Sequence, residues 1–171
     1  FSSYKSIEEI IKNIKLKYDS VDILVNNAGI SQEKPFLDIS LSDWDDMLKT
    51  NLGGAFFLSK LCIPDMIKNK WGRIINISSI GGQWGGFNQV HYAASKAGLI
   101  SLTQSLAKIY SKDGITTNAI APGLISTDMA NNELNTEHGK NKIKNIPVGR
   151  VGTTNEVASA VEFLISDEAS Y

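Results

Sequence analysis

Apolar positions along the chain follow two rhythms that take turns, one helical and one short and continuous. Ile7, Ile10, Ile11, Ile14 and Tyr18 stand at helical spacing, and Ser6 with Glu9 has the form of a capping box, so a helix is predicted over 6–18. After a polar turn at Asp19 and Ser20, residues 21–25 are almost all apolar, as in a strand buried on both faces. A second helix is predicted from Ser42, with Ser42 and Asp45 as its capping box. It carries Trp44, Met47, Leu48 and Leu52 on toward Ile63 and meets a kink or stop at Pro64.

Residues 74–78 form a second short apolar run, followed by the glycine-rich stretch GGQWGGF, read as a loop. Leu99, Leu102, Leu106 and Ile109 place a helix over about 91–110, which Gly114 ends before a third strand in ITTNAIAPG. From 124 to 148 the pattern turns polar and loses its period, which suits a mobile segment over a site. A last helix, capped by Thr153 and Glu156, carries Val157, Ala160, Val161, Leu164 and Ile165. Helices alternating with fully apolar strands predict an α/β fold, a doubly wound parallel sheet covered by helices on both faces.

In such sheets ligands bind beyond the carboxyl ends of the strands. Those positions hold Asn26-Asn27-Ala28-Gly29, then Ser79, then Pro122-Gly123. Small, polar and backbone-exposing residues thus gather at one edge, which becomes the candidate site. At the start of the third helix Tyr92 and Lys96 lie four apart, one above the other on one face. A free phenol titrates at about 10, and a neighbouring ammonium favours its ionised form. A serine hydroxyl beside it, Ser79, would hold a carbonyl oxygen while Tyr92 delivers the proton. That chemistry is carbonyl reduction or its reverse, and it requires a hydride from a nicotinamide cofactor.

Composition narrows the rest. The 171 residues, 42% hydrophobic, suit one domain with a sizeable core. A net charge of −1 gives no basic field for nucleic acid. The single cysteine, Cys62, sits in an apolar helical stretch and cannot form an internal disulfide, which fits a reducing compartment. No apolar run approaches the roughly 20 residues that span a bilayer, and no basic-then-apolar leader pattern is present, so a cytoplasmic protein is expected. His91 and His138 have no companions at metal-ligand spacing, so no metal is expected and surface or substrate-loop roles are assigned.

NNAG at 26–29, TN at 50–51, ISS ending at Ser79, Y-x-x-x-K at Tyr92 and Lys96, and PG at 122–123 resemble the short-chain dehydrogenase/reductase family in order and spacing. The family fold is Rossmann-like. The resemblance implies that Tyr92 is the acid/base, that Ser79 orients the substrate oxygen, and that Lys96 assists the tyrosine and holds the nicotinamide ribose. It implies that Asn51 carries a water linking Lys96 to solvent. Asn26, Ala28 and Gly29 would border the adenosine side of the cofactor, while Ile125 and Thr127, after Pro122 and Gly123, would meet its carboxamide and pyrophosphate. Stitching of strands is an equal reading for Asn26, and satisfaction of a helix kink is another for Asn51. Ser78 is read as structural, and Trp84 and Phe87 as pocket or core. Gly53-Gly54 suggests close helix approach, often a subunit contact in this family.

GRIINISS, HYAASKAGL, GITTNAIAPGLISTDM and IPVGRVGTTNEVAS resemble the 3-oxoacyl-[acyl-carrier-protein] reductases of that family. This implies NADPH, with NAD possible, a homotetramer, a place in fatty acid biosynthesis and docking of an acyl carrier protein. The reductases often carry a basic residue where this chain has Asp113, leaving Lys112 and Lys70 as substitutes. Alternatives are a relative acting on a sugar, hydroxy acid or other secondary alcohol, a nucleotide-sugar epimerase or dehydratase, and a non-catalytic binding or regulatory member. The family's opening strand, glycine-rich turn and helix, about 75 residues in two and a half βα units, and its last strand are expected in a longer protein.

Overall fold

The computed structural model describes residues 4–128, 130, 134 and 136–171. Among them the order is α1 (Tyr4–Tyr18), β1 (Ile23–Asn26), α2 (Leu41–Leu48), a π-helical turn (Lys49–Gly53), α3 (Gly54–Asn69), β2 (Gly72–Ile77) and α4 (Gly81–Trp84). Then come α5 (Val90–Tyr110), β3 (Ile115–Ile120), α6 (Glu137–Lys144) and α7 (Thr154–Ile165). The strands form one parallel sheet in the order β1-β2-β3, with Leu24 beside Ile74 and Arg73 beside Thr116.

Ile11, Leu24, Cys62, Ile63, Met66, Ile74 and Ile115 build the core where α1 and α3 cover one face, with Leu106 and Tyr110 of α5 packed against it. Cys62 is fully buried there, and burial pushes its thiol up to about 11. Ile75 points to the opposite face and is equally buried, and α7 packs on β2 and β3. The central strand is therefore covered on both sides.

β1 departs from expectation. Leu24 and Asn26 are buried, while Ile23 is 41% and Val25 40% exposed, Val25 on the wall of a cleft. The helix starts also move. The α2 capping box is Ser40 with Asp43 rather than Ser42 with Asp45, and Ser6 lies inside α1 rather than at its start. α3 runs through Pro64 without stopping, and GGQWGGF opens with the short helix α4. The Thr153–Glu156 capping box forms as predicted. Within 124–148, Ile125 bridges Gly152 and α6 is capped by Thr136, so the segment has more structure than its pattern suggests. Residues 129, 131–133 and 135 of that segment lie outside the described residues.

Candidate active site

Three loops leave the carboxyl ends of the strands together and enclose a cleft of ≈ 1140 Å³. Asn27, Ala28 and Gly29 line it after β1, Ser79 to Gly81 after β2, and Pro122, Gly123, Ile125 and Thr127 after β3. Tyr92 and Lys96 of α5 complete the wall. The last two loops are tied to each other by Ile80 N donating to Pro122 O at 2.9 Å.

Ser79 Oγ accepts a hydrogen bond from Gly81 N at 3.1 Å, which fixes the hydroxyl at the entry to α4. A methyl built on Gly81 would lie 3.5 Å from Ser79 Oγ and 3.9 Å from Tyr92 Cε1. Hydroxyl and phenol ring therefore meet over the same glycine. Lys96 is 5% exposed, donates to Ile77 O at 2.8 Å and places Nζ 5.8 Å from the Tyr92 ring centre. Burial pulls its ammonium below the ordinary lysine value.

The floor beside Lys96 is glycine. A methyl on Gly29 would stand 3.2 Å from Asn51 Oδ1 and 3.4 Å from Lys96 Nζ. The π turn brings Asn51 here, 2% exposed, with Oδ1 accepting from Ile30 N at 2.8 Å and Nδ2 donating to Ile30 O at 2.9 Å and Ser95 Oγ at 3.0 Å. Ser95 Oγ in turn donates to Tyr92 O at 2.7 Å. Asn51 thus joins the turn after β1 to the tyrosine's own helix, a junction more specific than the relief of a helix kink.

Asn26 does not line the cleft. Its Nδ2 donates to Asn76 Oδ1 at 2.8 Å and Asn76 Nδ2 donates to Thr103 Oγ1 at 2.8 Å, so it stitches β1 to β2 and, through Asn76, to α5. Ser78 lines the cleft beside Ser79, with its Oγ donating to Lys96 O at 2.8 Å and tying the end of β2 to α5. Trp84 and Phe87 line the cleft at 81% and 90% exposure, which removes their core reading. His91 is fully buried against Gln32 rather than at the surface. Gly53 approaches Tyr4 of this same chain, where a methyl would stand 3.1 Å from the tyrosine Oη.

Sequence reasoning missed Ile30 and Glu33 as cleft residues, and Val157 and Val161, which it placed on a plain amphipathic helix, while Lys142 and Ile146 reach the cleft from the 124–148 segment it set over the site. The apolar stripe of α7 was the available signal. Among the described residues no group of three His, Cys, Asp or Glu is placed to hold a metal, and no helix is long and apolar enough to cross a membrane.

The residues fit a nicotinamide dinucleotide. Lys96 keeps two N–H donors beyond the one given to Ile77 O, the floor at Gly29 leaves them open, and a methyl on Gly123 would meet nothing within 4 Å.

A parallel sheet with Ser79, Tyr92 and Lys96 at its carboxyl edge defines a nucleotide-dependent oxidoreductase, and the chain belongs to the short-chain dehydrogenase/reductase family. A family model described as "Enoyl-(Acyl carrier protein) reductase" matches residues 1–171. The chain is 48% identical over 170 residues to the 3-oxoacyl-[acyl-carrier-protein] reductase of Aquifex aeolicus, covering 99% of this chain and 68% of that protein. It is 45% identical over 166 residues to the enzyme of the same name from Salmonella typhimurium, covering 97% and 68%. In structure it is similar to an Agrobacterium tumefaciens protein assigned as a gluconate dehydrogenase, with TM-score 0.95, 31% identity, and 99% and 67% of the two chains covered.

Proposed function

We propose that this cleft reduces the keto group of a 3-oxoacyl thioester to the 3-hydroxy form, as part of fatty acid biosynthesis. The carrying observation is the meeting of Ser79 Oγ and the Tyr92 ring over Gly81, with Lys96 behind the ring. Ser79 donates a hydrogen bond to the substrate's keto oxygen and Tyr92 a second. As that oxygen gains charge the phenol proton moves to it, and the nearby ammonium of Lys96 stabilises the phenolate left behind. A nicotinamide dinucleotide, when bound, supplies the hydride. Lys96 has donors for its ribose, while Ala28 and Gly29 border the adenosine side and Pro122, Gly123, Ile125 and Thr127 the nicotinamide and pyrophosphate. The remaining lone pair of Asn51 Oδ1 is the place for a water between Lys96 and solvent. Asn26 acts at one remove, by fixing β1.

NADPH is the expected cofactor and NADH the alternative. A cytoplasmic homotetramer is the expected assembly, with the exposed groove of Leu52, Phe56, Gly98 and Leu102 as a contact. The acyl carrier protein is the expected carrier, although Asp113 pairs with Lys70 at 3.5 Å and offsets part of the basic charge there.

An enoyl thioester, named in the family description, needs its proton at carbon, whereas the Ser79–Tyr92 pair suits a carbonyl oxygen. A sugar acid or other secondary alcohol is the second reading, favoured by the structural likeness at 31% identity but set against 48% and 45% for the thioester reductases. A non-catalytic role gives no reason to keep Ser79, Tyr92 and Lys96 together. The test is oxidation of NADPH and of NADH by the full-length protein with acetoacetyl and crotonyl thioesters and with a keto-gluconate, the oxidised partner of a gluconate dehydrogenase. Rapid oxidation of NADPH with the acetoacetyl thioester alone supports the proposal. Turnover confined to another substrate refutes it.

A further inference from the structure

We propose that Gln32 and His91 form a positioning pair that holds the first turn of the catalytic helix, and with it Tyr92, in place from the loop after β1. This rests on the reading of Tyr92 as the proton donor.

α5 starts without help from its own sequence. Its N-cap, Gln89, makes no side-chain capping bond, so no side chain at the cap position holds the N–H groups of the first turn. Just before it Asn88 takes a left-handed conformation at φ 52°, which asparagine adopts more readily than most residues that carry a Cβ. The anchors come instead from a segment 54 to 59 residues earlier in the chain. Lys34 N donates to Asn88 O at 2.7 Å, and the His91 ring nitrogen Nε2 lies 2.9 Å from Gln32 Oε1.

One glutamine carries this contact across to α2. Gln32 Nε2 donates to Asp43 Oδ1 at 3.0 Å, while Asp43 Oδ2 receives Lys34 Nζ at 2.7 Å and Ser40 Oγ at 2.6 Å. A carboxylate only accepts, so the amide must turn its NH2 to Asp43 and its oxygen to His91. That leaves His91 no choice of tautomer, since Nε2 has to carry the proton to bond an oxygen. Nδ1 is then a bare lone pair, in keeping with its lack of a partner in a fully buried ring. The other tautomer would bury an unpaired N–H and set two lone pairs face to face, which is costly.

Tyr92 follows His91 directly, and its carbonyl is held from the other side by Ser95. The helix start is thus gripped on both sides of the tyrosine, by Gln32 through His91 and by Asn51 through Ser95. In the same loop Ile30, Ser31 and Glu33 line the cleft, while Gln32 reaches His91 and Lys34 turns its ammonium to Asp43 of α2. A loose helix start swings the phenol at the end of its ring away from Ser79, and a misplacement of about 1 Å costs about a hundredfold in rate.

The test uses the full-length protein with its cofactor and the thioester. Gln32→Ala is expected to lower kcat about tenfold with the substrate KM within about twofold, a partial loss of positioning. His91→Gln, whose amide nitrogen falls near the place of Nε2, is expected to retain kcat within about threefold, while His91→Phe, with the ring but no donor, falls with Gln32→Ala. Thermal unfolding of each variant reports whether it is folded. A lowered unfolding midpoint with unchanged kcat in both Gln32→Ala and His91→Phe makes the pair a plain structural contact and overturns the proposal, while Tyr92→Phe remains inactive. Turnover that survives in Tyr92→Phe instead overturns the reading of the site, and the positioning of Tyr92 with it.

Discussion

The spacing between Ser79 and Tyr92 depends on a glycine that touches neither substrate nor cofactor in the account above. Gly82 sits in α4 directly on the backbone of α5. A methyl there would lie 2.7 Å from Lys96 C, and 2.9 Å from both Ala97 N and Lys96 O, against the 3.4 Å at which ordinary contact begins. The shortfall is about 0.7 Å, and backbone cannot yield as the end of a side chain can. Lys96 O is also held by Ser78, so α5 is fixed from the strand side as well. Gly82→Ala therefore pushes α4 outward and carries Ser79, whose hydroxyl is bonded to Gly81 N, away from Tyr92. Overpacking of this kind costs about 1 to 3 kcal/mol. At about 3 °C per kcal/mol the melting temperature falls by roughly 3 to 9 °C. A displacement approaching 1 Å lowers kcat by about ten- to a hundredfold. Steady-state oxidation of NADPH, with cofactor affinity measured separately and a melting curve on the same sample, reads all three quantities. Gly82→Ala with wild-type kcat would refute the claim that α4 packing sets the catalytic spacing.

Two further outcomes follow from charged groups at the surface. The Glu156 carboxyl is held down to about 2 by hydrogen bonds from Arg150 first and then from Thr153, so the α7 cap is fully formed above about pH 4.5 and is lost as pH falls toward 2. Amide shifts of Thr153 and Glu156 across that window should move together in wild type and stay flat in Glu156→Gln; a flat wild-type profile contradicts the assignment. Asp113→Arg, which removes the partner of Lys70, should lower the KM for a carrier-bound 3-oxoacyl substrate several-fold and leave the KM of a small thioester unchanged. Equal effects on both substrates would show that this corner does not meet the carrier.

The alternation of helix and strand was legible because each element buries a face, and burial imposes a period. Ser79, Tyr92 and Lys96 were legible because strand ends and helix spacing place them at one edge. Features that depend on distant partners were not. SLSDWDD contains two serine-x-x-aspartate patterns, and only contacts from Gln32 and Lys34 to Asp43 select Ser40 over Ser42 as the cap. The π turn that delivers Asn51 has no local signature beyond the glycines at its end. The polar partner of buried His91 is Gln32, 59 residues away. Val25 reads as core by composition, yet it lines the cleft.

The proposed reduction turns on Tyr92 giving its proton to the substrate oxygen. Tyr92→Phe in the full-length protein keeps the ring and its packing and removes only the transferable proton and its hydrogen bond. Turnover of the acetoacetyl thioester should fall by at least about a hundredfold while the dissociation constant of the cofactor stays within about twofold. Turnover within a few fold of wild type would contradict the account.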